Sequence, residues 1–132
     1  MSIATRWYDH QERILLEELA GPVSLVDYLD ILNQRAALLS QKQHIVDIIA
    51  DFTNSQTNPH DVMAAARYGE TCLPPNLGKI IFVKPSSGVK TVVKLIKRLN
   101  FHTGEYLQIA TNIDAALHII HTTHDNRVAF PN

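Results

Sequence analysis

The stretch Ile45-Val46-Asp47-Ile48-Ile49-Ala50-Asp51-Phe52-Thr53 decides the fold. Ile45, Val46, Ile48, Ile49 and Ala50 are apolar without strict alternation. A short apolar run rich in β-branched residues is the pattern of a strand buried on both faces, as in a parallel sheet covered by helices. The run predicts a central strand over Ile45–Asp51, followed by a polar loop from Phe52 to His60. Asp47 is out of place inside such a strand. It is expected either to lie near the strand start and reach solvent, or to pair with a base.

Upstream, Ser24 has the character of an N-cap, with Asp27 three residues on. Leu25, Tyr28, Leu29, Leu32, Ala36 and Leu39 then recur at helical spacing, which predicts an amphipathic helix of about four turns. Before it, Ile3–Tyr8 can alternate, with Ile3, Thr5 and Trp7 on one face. Asp9–Gln11 reads as a turn and Arg13–Leu19 as a second strand, together a hairpin that Gly21 and Pro22 end. Downstream, Asn58-Pro59 is a cap and first-position pair for a short helix through Val62, Met63, Ala66 and Arg67, closed by Gly69. Leu73–Gly78 is a Pro-rich turn, and Ile80–Val83 a second buried strand. Pro85-Ser86-Ser87-Gly88 leads into a helix with Val89, Val92, Val93, Ile96 and Leu99 inward. Tyr106–Ala110 is a short last strand. Thr111 is expected to cap a final helix that has Asp114 at its third position and Ile113, Ala116, Leu117 and Ile120 on its buried stripe. From about Thr122 the chain reads as a tail.

The order ββαβαβαβα defines an α/β fold. Its sheet should have five strands, mostly parallel through right-handed crossovers, with an antiparallel first strand and helices packed on it. The whole of residues 1–132 is expected to be one domain, with its core between about 3 and 121. The chain is long enough to bury a core without staples. Its 45% hydrophobic and 19% charged content is that of an ordinary globular protein. The single Cys72 excludes an internal disulfide and any multi-cysteine zinc site. No apolar run approaches the roughly 20 residues of a membrane span, and MSIATRWYDHQER turns polar too early for a secretory signal. The expected location is the cytoplasm.

The net charge of −1 conceals an asymmetry. Between Glu70 and Glu105 there is no acidic residue. That stretch holds Lys79, Lys84, Lys90, Lys94, Lys97 and Arg98, six of the 12 Lys and Arg, so the remainder of the chain is net −7. Such a field can steer a partner.

The element order, together with certain local features, resembles the SpoIIAA-like fold of STAS domains and their distant CRAL-TRIO relatives. Those features are the opening Arg6-Trp7-Tyr8-Asp9 hairpin and the strand end Ile49-Ala50-Asp51-Phe52-Thr53. The Pro-rich approach to Lys79–Val83 and the closing Thr111…Ala115-Ala116-Leu117 complete the set. The resemblance covers about residues 3–121 and is greatest to small stand-alone bacterial proteins of this kind. In the anti-sigma-factor antagonists among them, an Asp-Leu-Ser-like strand end precedes a helix whose first Ser or Thr is phosphorylated by a partner kinase. Asp51-Phe52-Thr53 matches that strand end. The Asp-Ser-Ser-Gly stretch that follows there is replaced here by Asn54-Ser55-Gln56-Thr57-Asn58-Pro59.

Several candidate sites follow. Asp51, Thr53, Asn54, Ser55 and Thr57 lie after a central parallel strand, at the sheet end where α/β proteins bind ligands and partners. A phosphate there would meet a helix N-terminus; the ordinary role of such residues is to cap and turn. Ser86, Ser87, Gly88 and Lys90 make a second strand-to-helix turn able to cradle an anion, though without the spacing of a P-loop. Lys90, Lys94 and Lys97 line one helix face, ordinarily a solvated one. No interleaved aromatics point to nucleic acid, and three lysines are too few to argue for a membrane. His118, His121 and His124 are spaced to share a metal only in part, and histidines also suit a helix C-terminus. Neither a catalytic set nor a cofactor motif emerges: no nucleophile elbow, His-Glu-x-x-His or dinucleotide fingerprint is present.

The leading expectation is therefore a non-enzymatic regulatory domain without a cofactor. It would bind a protein partner through the Asp51–Asn58 segment and the helix after it, with phosphorylation of Ser55, Thr53 or Thr57 as a rider. A homodimer through an exposed edge strand stays open. A second class is a carrier of a small apolar ligand or lipid, with Trp7, Tyr8, Tyr28, Phe52, Tyr68 and Phe82 around a cavity. The ordinary alternative is that these aromatics are core. A third class is a metal enzyme using the C-terminal histidines.

Overall fold

The computed structural model describes residues 2–128, with the side chains of residues 3–123. Strand β1 (Ser2–Trp7) runs antiparallel to β2 (Ile14–Val23), from Ser2 opposite Ala20 to Trp7 opposite Leu15. Between them Asp9 accepts the backbone N–H groups of Arg13 and Ile14, each at 2.9 Å. Helix α1 (Leu25–Leu39) starts on the expected capping box: the Ser24 hydroxyl accepts from Asp27 N–H, and the Asp27 carboxylate accepts from Ser24 N–H. Then follow β3 (Val46–Thr57), α2 (Pro59–Glu70), β4 (Leu77–Val83) and α3 (Ser87–Arg98). The one-turn helix α4 (Thr103–Tyr106), β5 (Leu107–Ala110) and α5 (Ile113–Val128) complete the order.

The sheet order is β1-β2-β3-β4-β5, with every pair after the first parallel. This is the expected α/β architecture, with α4 added. Because each crossover is a right-handed step in the same direction across the sheet, α1, α2 and α3 all fall on one face. That face holds the larger core, in which Leu15, Leu19, Ile48, Ala50 and Phe52 meet Tyr28, Val62, Val92 and Ile96. Helix α5, which follows β5, covers the other face, where Ile14, Leu16, Ile49, Ile81 and Val83 meet Ala116 and Ile120. Ile48 enters the first core and Ile49 the second, both fully buried, which explains why the deciding stretch is apolar at consecutive positions.

Four expectations need correction. Residues 52–57 are not a loop: β3 continues to Thr57, and β2 continues through Gly21 and Pro22 to pair with it. Ala20, Gly21, Pro22 and Val23 lie opposite Asn54, Ser55, Gln56 and Thr57. Gly21 takes a φ of 69° there, conformational space open to glycine. β1 pairs no further than Ala20, so Pro22 sits on an edge, where a missing N–H is tolerated. Second, Leu99 is not inward; it caps the C-terminus of α3 and is 54% exposed. Third, the cap of α5 is Asn112 rather than Thr111, its side chain accepting the Ala115 N–H at 2.7 Å. Fourth, α5 passes Thr122, the expected start of a tail, and runs to Val128. No Gly or Pro interrupts it, and the Thr122 and Thr123 hydroxyls donate to the carbonyls of His118 and Ile119.

Asp47 is fully buried instead of reaching solvent. It sits where β4 carries an extra residue, Val46 and Ile48 lying opposite Leu77 and Ile80. Its carboxylate accepts the Lys79 N–H at 2.7 Å. Gly78 leaves the room: a Cβ there would run into the Asp47 carboxylate. No helix among the described residues is long and apolar enough to cross a membrane.

Candidate functional site at the carboxyl end of the sheet

Strands β2, β3, β4 and β5 are each followed by a helix start, at Ser24, Asn58, Ser86 and Asn112 for α1, α2, α3 and α5. For β5, residues 111–112 intervene. Parallel strands place these starts along one rim, the sheet end at which α/β proteins bind. The two candidate turns are neighbours on it. A Cβ on Gly88 would lie 2.6 Å from the Pro59 ring, so the first turns of α2 and α3 are in contact and glycine permits the approach.

The β2–β3 pair projects beyond the rest of the rim. β4 follows β3 only to Asp51, opposite Val83. Beyond that, residues 52–57 are held by β2 alone, and no strand of the sheet pairs with their other edge. At the start of this ribbon β3 bulges, three steps from Asp51 to Asn54 matching two from Glu18 to Ala20. The Asp51 carboxylate stabilises the bulge, accepting the Thr53 N–H at 3.0 Å and the Thr53 hydroxyl at 2.5 Å. The Ser55 hydroxyl donates to the Phe52 carbonyl at 2.8 Å. Thr53, Asn54 and Gln56 are exposed, while Ser55 and Thr57 are half-buried. Beneath the ribbon, the buried Tyr28 hydroxyl makes no well-formed hydrogen bond. Burial pushes its pKa well above the usual tyrosine value, with Thr57 opposing and Asp61 and Asp27 adding to the rise.

The α2 start is poorly arranged for phosphate. Asn58 already caps the His60 N–H at 2.8 Å, Pro59 has no N–H, and Asp61 puts a negative charge in the first turn. At the α3 start, Ser86 accepts the Val89 N–H at 3.2 Å, while Ser87 and Lys90 are exposed. No acidic residue stands in that first turn. His118 and His121 are both exposed on α5, and the side chain of His124 lies outside the described residues. Among the described residues no three His, Cys, Asp or Glu side chains are grouped to hold a metal.

One arrangement has no counterpart among the expected sites. Glu17 on β2 is 1% exposed, and its carboxylate takes two bonds from the Arg35 guanidinium of α1, at 2.8 and 2.7 Å. Burial lowers the pKa of Arg35, but the Glu17 carboxylate more than compensates and leaves it raised. The pair lines an apolar cavity of about 90 Å³ between the sheet and helices α1 and α2, along with Tyr28, Phe52, Phe82 and Cys72. Trp7, Tyr8 and Tyr68 are not on its wall. The pattern had a signal. Glu17 shares a face with Leu15 and Leu19, and Arg35 falls on the helical stripe between Ile31 and Leu39, so opposite charges stood at two inward positions.

No family model matches the chain, and no curated protein matches it in sequence. Solved structures do match. The anti-sigma factor antagonist SpoIIAA in its unphosphorylated form superposes with a TM-score of 0.60, over 91% of this chain and 98% of that one, at 14% identity. The Bacillus cell fate determinant SpoIIAA in the phosphorylated form gives 0.55, over 89% and 99%, at 15% identity. The chain therefore has the SpoIIAA-like, STAS-like fold.

Proposed function

We propose that this protein is a non-enzymatic regulatory domain, like an anti-sigma-factor antagonist, that binds a protein partner through the β2–β3 ribbon and the first turn of α2. The observation that carries this reading is the free edge of β3 beyond Asp51. Unpaired strand N–H and C=O groups are a ready template for a partner's backbone. Thr53, Asn54 and Gln56 beside that edge give the contact its side-chain specificity. The full-length match to an anti-sigma factor antagonist supports the same class of role.

Phosphorylation is not needed for this contact. Phosphate on Thr53 would face the Asp51 carboxylate, and phosphate near the α2 start would face Asp61. The apolar cavity does not support a lipid carrier: at about 90 Å³ it is smaller than the roughly 150 Å³ cavity that accepts benzene in an engineered protein.

The test is affinity capture from the native host with the wild-type chain and with Thr53→Glu/Asn54→Arg/Gln56→Glu, alongside sizing to detect self-pairing and mass spectrometry of the native protein. The expected result is a defined partner lost by the variant, with no phosphate on Thr53, Ser55 or Thr57. A partner held equally by both chains would remove the ribbon from the interface.

A further inference from the structure

We infer that the outer face of α3 docks on an anionic membrane surface. Helix α3 buries Val89, Val92, Val93 and Ile96 against the sheet. At 100° per residue the opposite side carries Lys97, Lys90, Lys94 and Arg98 over an arc of about 100°, with Leu95 and Leu99 on the arc beside it. All six side chains are exposed, Leu95 to 41% and Leu99 to 54%.

Three observations favour an anionic bilayer as the occupant. Among the described residues none of the four cations is held in an ion pair, although other surface cations are, as in Arg6–Glu18. The cations are therefore available. No acidic residue occurs between Glu70 and Glu105, and the remainder of the chain is net −7. An anionic surface would attract this face and repel the rest, which fixes the orientation. Finally, Leu95 and Leu99 stand exposed beside the cations, and a bilayer can take both leucines into its interfacial zone with the lysine stems running alongside them.

Four cations near a phosphatidylserine-rich bilayer are worth up to about a thousandfold in partitioning, and the acidic remainder opposes this, so the expected preference over a neutral bilayer is on the order of a hundredfold. The test is co-sedimentation of the whole chain with phosphatidylcholine vesicles, with and without about a third phosphatidylserine. Binding is expected on the anionic vesicles alone, and it should fade as salt rises. Lys94→Glu/Lys97→Glu/Arg98→Glu should abolish it. Leu95→Gln/Leu99→Gln should weaken it about tenfold by removing the inserted apolar area. These positions are exposed, and circular dichroism would confirm that each variant is folded. Equal binding to neutral vesicles, no binding to either, or a leucine variant indistinguishable from wild type would overturn the inference. So would capture of an acidic peptide such as polyglutamate without capture of vesicles.

Discussion

Replacing Glu17 by Leu should destabilise the protein far more than a surface charge would. Glu17 is 1% exposed and its partner side chain, Arg35, 11%. Two hydrogen bonds under 3 Å join them. An exposed ion pair is worth about 0–1 kcal/mol. Here the leucine leaves a guanidinium in an apolar wall with nothing to neutralise it, a cost of about 3–5 kcal/mol. Against a typical total stability of about 5–15 kcal/mol, that is a large fraction. It corresponds to a fall in Tm of roughly 10–20 °C for a chain of this length. Arg35→Met should also destabilise, by stranding the carboxylate. The double variant Glu17→Leu/Arg35→Met removes both charges together with both desolvation costs, and should return to within about 1 kcal/mol of wild type. Urea unfolding of the four proteins closes the cycle and isolates the coupling. Single variants that each lose less than 1 kcal/mol, or a double variant as unstable as the sum of the two, would refute a buried, mutually dependent pair.

Tyr28→Phe should be neutral or stabilising by up to about 1 kcal/mol in urea unfolding, since it removes a buried hydroxyl without a well-formed bond. Gly78→Ala should cost about 2–3 kcal/mol because its methyl meets the Asp47 carboxylate and Ile45; an unchanged urea midpoint would mean that β4 can shift aside. Glu70 supplies a pH test. Burial raises its pKa, but the backbone N–H groups of His102 and Thr103, with the His102 ring and the Thr103 hydroxyl, outweigh this and lower it to about 2. The folded value lies below the unfolded one, so the stabilisation is complete above about pH 4.5 and is lost as pH falls toward 2. Glu70→Gln should therefore flatten the decline in urea midpoint across that window, and a decline parallel to wild type would disprove the assignment.

The parts of the fold legible in the sequence were those where one face of an element is buried. Ser24 with Asp27, the α1 stripe, and the strands at Ile48–Ala50 and Ile80–Val83 all stood out because burial imposes a period or an apolar run. The ribbon was hidden because, past the buried Phe52, the residues it contributes from β3 are all polar and carry no apolar period. Thr53-Asn54-Ser55-Gln56-Thr57 has loop composition, yet it is strand because β2 pairs with it. Gly21 and Pro22 read as breakers since single-residue rules know nothing of edges. Leu99 fitted the helical period but fell one residue past the helix, where the stripe no longer meets the sheet. The candidate residues of the rim were visible through their types. Their disposition as strand edge rather than flexible loop required the long-range pairing.

The sequential strand order bears on how the molecule is made. Each strand pairs with the one synthesised just before it, so no strand must wait for a distant segment to be inserted between neighbours. Pairings between consecutive strands keep closure distances short for a parallel sheet, where folding is otherwise slow. The sheet can grow by accretion as the chain leaves the ribosome, each βα unit laying its helix on the same face. The opposite face stays bare through these steps, because its cover, α5, follows β5 in the chain. Until α5 docks, Ile14, Leu16, Ile49 and Ile81 form an exposed apolar plane on an otherwise finished sheet. That nascent state, and any fragment ending before Ile113, is the form of this protein most prone to aggregate.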